Sequence, residues 1–171
     1  SNPATFLDAD GNPVSGTSIP ATSGGKEVGT FSLDPATGRV TFTPNKSFVG
    51  TVDPVNLQVN DANGNEHRAT YQPTVTRVVP TGQNASSEGI QGAEQSGNLV
   101  FNPGDSRVPI DEAVAPTFDN GKSTKEVPGV GTYTVDNTGR VTFQPLPGYT
   151  GRPNPETVKR VDKNGTEVTA S

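Results

Sequence analysis

The chain holds a single histidine, His67, no cysteine and 18 carboxylates, and any chemistry would have to be built from these. A Ser–His–acid triad has only His67 to serve as its base. The neighbouring Arg68 and the strand-like residues around it read as an ordinary exposed position, so hydrolysis is disfavoured. Asp8-Ala9-Asp10-Gly11-Asn12 has the acidic spacing of a calcium loop, but its glycine is misplaced for an EF-hand and no bidentate Glu follows at the required distance. A plain turn is the simpler reading. Asp111 and Glu112 are adjacent, which on a strand sends them to opposite faces and leaves no carboxylate pair to flank a glycosidic bond. The absence of Cys removes disulfides, thiolate zinc sites and thiol nucleophiles. A Lys-to-Asn isopeptide cross-link needs a buried Lys, an Asn and a carboxylic acid. Lys26-Glu27-Val28 and Lys125-Glu126-Val127 offer equivalent lysines, for which a surface charge pair is the simpler role. No residue is assigned to catalysis, to a cofactor or to a metal, and the chain is expected not to be an enzyme.

The elements around these groups are written twice. GTFSLDPATGRVTFTP, residues 29–44, returns as GTYTVDNTGRVTFQP, residues 131–145. The match continues through Phe48 and Tyr149, Gly50 and Gly151, Pro54 and Pro155, Asp61 and Asp162, and Asn63-Gly64 and Asn164-Gly165. Only the hairpin turn differs, being one residue shorter in the second copy, and loops absorb such changes where strands cannot. A repeat of this length is a small domain and not a solenoid unit.

Within Arg39-Val40-Thr41-Phe42-Thr43, and again in Arg140-Val141-Thr142-Phe143-Gln144, apolar and polar residues alternate as on a half-buried strand. No window carries the spacing of an amphipathic helix. Asn-Gly turns and short β-branched runs predict an all-β chain with almost no helix, built as two tandem Ig-like β-sandwich repeat domains. Residues 1–80 form the first, N-terminally incomplete. Residues 81–171 form the second, C-terminally incomplete, after a Gly/Ser-rich linker at residues 81–87. Residues 98–101 and 107–110 read as two short strands opening the second copy. The expected cores are Phe31, Val40, Phe42, Phe48, Leu57 and Tyr71 in the first, and Tyr133, Val141, Phe143, Tyr149, Val158 and Val161 in the second. Arg160 stands where the first copy has Val59, and a one-residue register shift that restores Val161 to the core is expected to be cheaper than a cation on the inner face. The second copy reads as lacking its last strand and the first as lacking its opening strands, so open sheet edges are expected to recruit a strand from another copy.

Hydrophobic residues make up 29% of the chain, with 20 Gly and 16 Pro, against about 45–50% apolar content in ordinary globular domains, so the cores must be thin. The net charge of −5, without clustered basic and aromatic residues, excludes nucleic acid as a natural partner. No apolar run is long enough for a membrane span or signal peptide. The start at Ser1-Asn2 without Met reads as an excised fragment with a cloning scar.

The ordered series GT[FY]xxD, TGRVTFxP, aromatic-x-Gly and D-x-NG, present twice, resembles the CshA-type fibril repeats of streptococcal and related Gram-positive cell-surface adhesins. Residues 91–97, Gly104-Asp105 and Val108-Pro109-Ile110 also resemble the start of such a repeat. The resemblance implies an extracellular, cell-wall-anchored fibrillar adhesin in which the repeats are the stalk or spacer and project a binding domain. Neighbouring repeats would be the principal partners. No catalytic residue comes with the family, and a bacterial source removes the meaning of Asn164-Gly165-Thr166 as a glycosylation site. The alternative is a binding module that engages a host matrix protein or glycan directly, for instance by strand addition. Scarcity of aromatics, 3 Tyr and 7 Phe mostly at core-like positions, favours the spacer.

Overall fold

Period-two alternation, with Val and Thr at many of the paired positions, makes strands the regular element throughout residues 3–171, which the computed structural model describes. Backbone contacts divide the chain into Ser1–Arg77 and Val78–Ser171.

The first unit runs β1 (Thr5–Leu7), β2 (Ser18–Ser23), β3 (Lys26–Leu33), β4 (Val40–Pro44), β5 (Gly50–Thr51), β6 (Val55–Asn60), β7 (Glu66–Tyr71) and β8 (Thr74–Val75). One antiparallel sheet has the order β1-β6-β7, another β2-β3-β4, and β5 pairs with β8. Both three-stranded sheets contribute to one core: Phe6 from β1, Ala21 from β2, Val28, Phe31 and Leu33 from β3, and Val55 and Leu57 from β6, with Val52 beside them. Burial of inward residues from two facing sheets is the defining feature of a sandwich.

The second unit runs β9 (Thr81–Gln83), β10 (Gln95–Asn98), β11 (Val100–Asn102), β12 (Thr117–Phe118), β13 (Thr124–Val127), β14 (Gly131–Val135), β15 (Arg140–Pro145), β16 (Val158–Val161) and β17 (Glu167–Ala170). The order β12-β16-β17 repeats β1-β6-β7, and β13-β14-β15 repeats β2-β3-β4. The registers also repeat. Phe6 faces Leu57 as Phe118 faces Val158, and Phe31 faces Phe42 as Tyr133 faces Phe143. Three strands have no counterpart among the described residues of the first unit: β10 lies on the outer edge of β15, and β9 pairs with β11. The result is the expected all-β, Ig-like class.

The glycine that opens each GT[FY] motif has a packing reason. A Cβ on Gly29 would run into the Thr43 carbonyl and stand 2.8 Å from the Phe42 ring. On Gly131 it would run into the Gln144 carbonyl and stand 2.8 Å from Pro145 Cα. The strand pair closes to a separation only glycine permits.

Several details depart from the sequence reading. The most deeply buried rings are Phe6 and Phe118, at 0% and 1% exposure, which alternation within three-residue and two-residue strands did not reveal. Leu57, Phe31, Tyr133 and Val158 are buried as expected, whereas Val40, Phe42, Phe48, Val141, Phe143, Tyr149 and Val161 are only half-buried and Tyr71 is exposed. Residues 81–87 are not simply a loose linker, since Thr81–Gln83 form β9 against β11. Gly82 makes this possible, because a Cβ there would meet the Thr169 carbonyl oxygen at 2.5 Å. Residues 107–110 make only isolated bridges, Asp105 to Val108 and Ile110 to Asp162, in place of a strand. β17 pairs with β16 from Val161↔Glu167 onward, as β7 pairs with β6 from Asn60↔Glu66, and no described strand of the second unit repeats β8.

The register shift at Arg160 does not occur. Arg160 faces Val168 as Val59 faces His67, and the guanidinium lies on the inner face at 5% exposure. It stays there because Nη2 reaches Glu112 Oε2 at 2.9 Å, Nη1 donates to the Asn137 carbonyl at 3.2 Å, and the group stands 6.0 Å from the Phe101 ring centroid. Its Nε is buried with no hydrogen-bond acceptor, which offsets part of that gain. Replacing Arg160 with Met is therefore expected to leave the melting temperature unchanged or raise it. Arg160→Ala, which removes the aliphatic stem as well, should cost about 2 kcal/mol in lost packing. Urea titration of both variants decides this, and equal losses in the two would show that the charge itself holds the strand.

Candidate functional site

The carboxylates that a chemical reading singles out turn out to build turns. Asp8 Oδ1 accepts the amides of Asp10 and Asn12, both at 2.9 Å, closing the 8–12 segment on itself. Asp61 Oδ1 does the same for Asn63 and Asn65, and Asp162 Oδ1 for Asn164 and Thr166. Asp136 accepts from the amides of Thr138 and Arg140, and Asp34 from that of Ala36. The D-x-NG and D-x-TG signatures of the repeat are thus Asx-turns, in which a side chain substitutes for a missing backbone acceptor. The second-copy example is the most deeply set, with Asp162 at 1% exposure.

His67 projects from β7 with its side chain 60% exposed, and its Nε2 lies 3.2 Å from Asp61 Oδ2. Asp111 and Glu112 lie in a turn and not on a strand. Asp111 Oδ1 accepts the Ala113 amide at 3.1 Å and faces Lys163 Nζ at 3.3 Å, while Glu112 is engaged by Arg160. Among the described residues no group of three or more His, Cys, Asp and Glu side chains converges as a metal site.

The two lysines are not structural equivalents. Lys26 is exposed on β3, whereas Lys125 lies on β13 opposite Tyr133, the place that Ile19 holds opposite Phe31 in the first unit. The tripeptide repeats in sequence, but the extra residues 128–130 put it on a different strand. Lys125 Nζ sits between Asp119 Oδ1 at 2.9 Å and Glu156 Oε2 at 2.7 Å. By the repeat alignment and strand pairing, these three charges occupy the positions of Ile19, Leu7 and Val55. Three apolar positions in one copy are an ion cluster in the other. Hydrogen bonds donated to Asp119 and then to Glu156 raise the Lys125 pKa, which keeps the amine protonated. That is opposite to what a nucleophilic lysine requires, and the cluster is a structural ion pair. Sequence reading found Lys125 but not its partners, because Glu156 lies 31 residues away and Asp119, though near in sequence, meets it only through the turn between β12 and β13.

Electrostatics at the turns yields a pH dependence. The Asn65 amide, then the His67 ring, hold Asp61 at about 2, below its ordinary 3.8. The Arg107 guanidinium draws Asp105 well below the usual carboxylate range, and the Thr138 hydroxyl lowers Asp136. Each folded-state value lies below the unfolded one, so this stabilisation is present above pH 3.8 and is lost as the pH falls through the folded value, near 2 for Asp61. The melting temperature should decline over that interval, modestly because these groups are exposed and screened. Asp61→Asn should decline less steeply. Parallel slopes for the two proteins in calorimetry would remove Asp61 from the explanation.

Sheet-on-sheet units of one design, with their reactive side chains engaged in turns and ion pairs, define an all-β repeat protein. The chain belongs to the family described as the surface adhesin CshA repetitive domain, which matches residues 1–75 and again residues 77–171. Among solved structures it is similar to repeat domain 13 of the fibrillar adhesin CshA from Streptococcus gordonii. The two are 59% identical over 39% of this chain and 85% of that one, with a TM-score of 0.23. Murine CEACAM1b also aligns, at 17% identity over 99% of this chain and 82% of that one, with a TM-score of 0.26. No curated protein matches. Among the described residues no helix is long and apolar enough to cross a membrane.

Proposed function

We propose that this chain is a pair of stalk repeats from a cell-surface fibrillar adhesin, a non-enzymatic spacer that holds a binding domain away from the cell wall to which the full protein is anchored. The observation that carries this reading is the duplication of one sheet plan and register, β1-β6-β7 with β2-β3-β4 and β12-β16-β17 with β13-β14-β15. Selection for length favours repeated units, because each adds reach without new chemistry. The use of Asp8, Asp34, Asp61, Asp136 and Asp162 as turn acceptors supports the same reading. The two units are proposed to be separate domains that fold independently, with the division near residues 77–81. Neighbouring repeats are their natural partners.

Titration of the chain against host matrix proteins and glycans tests the spacer role. No saturable binding is expected in the micromolar range. Saturable micromolar binding would replace the pure spacer with the alternative, a binding module that engages a host protein or glycan directly.

A further inference from the structure

The outward face of the sheet β1-β6-β7 differs between the two units. In the first, Phe6 points into the core, and Leu7, on the opposite face of β1, is also buried although it takes no part in the core cluster. Residues 8–12 leave β1, return through the Leu7–Pro13 bridge and fold over that face. They reach as far as β7, because a Cβ on Gly11 would stand 2.9 Å from Arg68 Nη1. The hydrogen bonds that Asp8 Oδ1 accepts from the amides of Asp10 and Asn12 hold the loop in this shape. Between loop and sheet lies a cleft of about 280 Å³, whose lining includes Leu7, Asp8, Ala9, Asn56, Arg68 and Thr70.

The polar groups of this cleft are held in place but only partly used. Thr70 Oγ1 donates to Asn56 Oδ1 at 2.7 Å, which orients the amide and leaves its NH₂ to donate elsewhere. Arg68 Nε donates to Glu66 Oε1 at 3.1 Å, and its Nη groups have no acceptor among the described residues. Asp8 Oδ2 has no donor among them. Amide and guanidinium donors with a carboxylate acceptor in one cleft suit a polyol, since each hydroxyl can accept from N–H and donate to a carboxylate oxygen. Charge decides the class of polyol. Glu66 already counters Arg68, and Asp8 adds a further negative charge, so a carboxylated sugar would be repelled. Size limits the occupant to one ring, because the volume falls just below the range of about 300–1,000 Å³ that takes drug-sized ligands.

The second unit keeps the sheet without these groups. By register, Thr157, Thr169 and Ser171 stand where Asn56, Arg68 and Thr70 do. Asn120, in the place of Asp8, uses both side-chain polar atoms on the Thr124 carbonyl and the Lys122 amide. Thr157, Lys159 and Thr169 are exposed there, so the second unit does not cover this face and an open face belongs to the repeat plan.

We propose that the cleft between residues 8–12 and the β6-β7 hairpin is a binding site for one neutral hexose, free or at the end of a glycan. Asn56 and Arg68 donate to its hydroxyls and Asp8 accepts from them. A contact this small and open gives a Kd of about millimolar. That lies outside the micromolar range that tests the spacer role, so the two readings stand or fall separately.

The test follows backbone amide shifts of the isotope-labelled full chain. The probes are the methyl glycosides of glucose, galactose and mannose, the disaccharides lactose and maltose, and N-acetylneuraminic acid. At least one neutral sugar should shift Gly11, Asn56 and Arg68 saturably, with a Kd of about millimolar, and leave Thr157 and Thr169 unmoved. Tighter binding of a disaccharide than of its methyl glycoside identifies a glycan end and equal binding a free hexose, and both support the site. The double variant Asn56→Thr, Arg68→Thr carries the residues that the second copy uses at these positions, and its amide spectrum away from the cleft reports that the fold is kept. Its binding should weaken by at least about tenfold. No saturable shift from any neutral sugar at about ten times the expected Kd overturns the proposal. So does undiminished binding by the double variant, and so does saturable binding of N-acetylneuraminic acid alone.

Discussion

Phe118→Ala is expected to unfold the second unit under conditions in which the first stays folded. The ring is 1% exposed, packs edge-on to Tyr133 with centroids 6.3 Å apart, and lies within the cluster of Leu99, Val135, Val158 and Ala170. Truncating so enclosed a ring costs about 3–5 kcal/mol through lost transfer energy and the cavity left behind. A unit this small and poor in apolar residues has a total stability near the lower end of about 5–15 kcal/mol, so little remains. Phe6→Ala should do the same to the first unit, where Phe6 is 0% exposed. Residue-resolved exchange in a urea series reads both outcomes. Phe42→Ala and Phe143→Ala, at half-buried positions, should cost less than the inner rings. If the Phe118 and Phe143 variants were equally destabilised, the inner sheet β12-β16-β17 would not be the centre of the core.

Gly131→Ala and Gly29→Ala are the second pair. Each new Cβ would meet the carbonyl of the facing strand, and Pro145 Cα at 2.8 Å or Pro44 Cα at 3.0 Å. Backbone atoms cannot swing aside as a side chain can, so the strands must part. Overpacking of this kind costs about 1–3 kcal/mol. The denaturation midpoint of the affected unit should fall accordingly, and a change of less than about 0.5 kcal/mol would show that the hairpin absorbs the methyl without strain. The same comparison tests the motif itself, since GT[FY] would then owe its glycine to something other than this close approach.

The TGRVTF hairpins were legible because alternation, a β-branched run and a turn signal agree over enough residues for the period to show. The β6 bounds, Val55–Asn60, could be read for the same reason. The inner sheet was less legible. β1 has three residues and β12 two, too few to display a period, and the deepest rings of both cores sit on them. Half-burial of Val40, Phe42, Val141 and Phe143 was hidden because alternation gives the face of a strand but not how fully the rest of the unit covers that face. β9 was hidden because Thr81-Gly82-Gln83 has the composition of a linker, and its strand character comes from pairing with β11.

For the candidate chemistry, the bland reading of the Asp8–Asn12 segment agrees with the Asx-turn found there. Charge at inner positions was the harder problem. Arg160 was noticed, but its acceptors Glu112 and Asn137 lie 48 and 23 residues away in sequence, so nothing local showed that the guanidinium would be accommodated. Lys125 posed the same difficulty. Its tripeptide suggested equivalence with Lys26, and only the strand pairing shows that it replaces Ile19.

Mechanical unfolding of the single chain tests most directly the claim that it consists of independent spacer units. Pulled from its two ends, the chain is expected to lengthen in two separate steps. Fully extended, the released segments of Ser1–Arg77 and Val78–Ser171 span roughly 265 and 325 Å at about 3.3–3.6 Å per residue. Phe118→Ala should remove the longer step and leave the shorter one unchanged. A single step releasing the whole chain, or loss of both steps in that variant, would contradict independence and with it the division of the chain into stalk repeats.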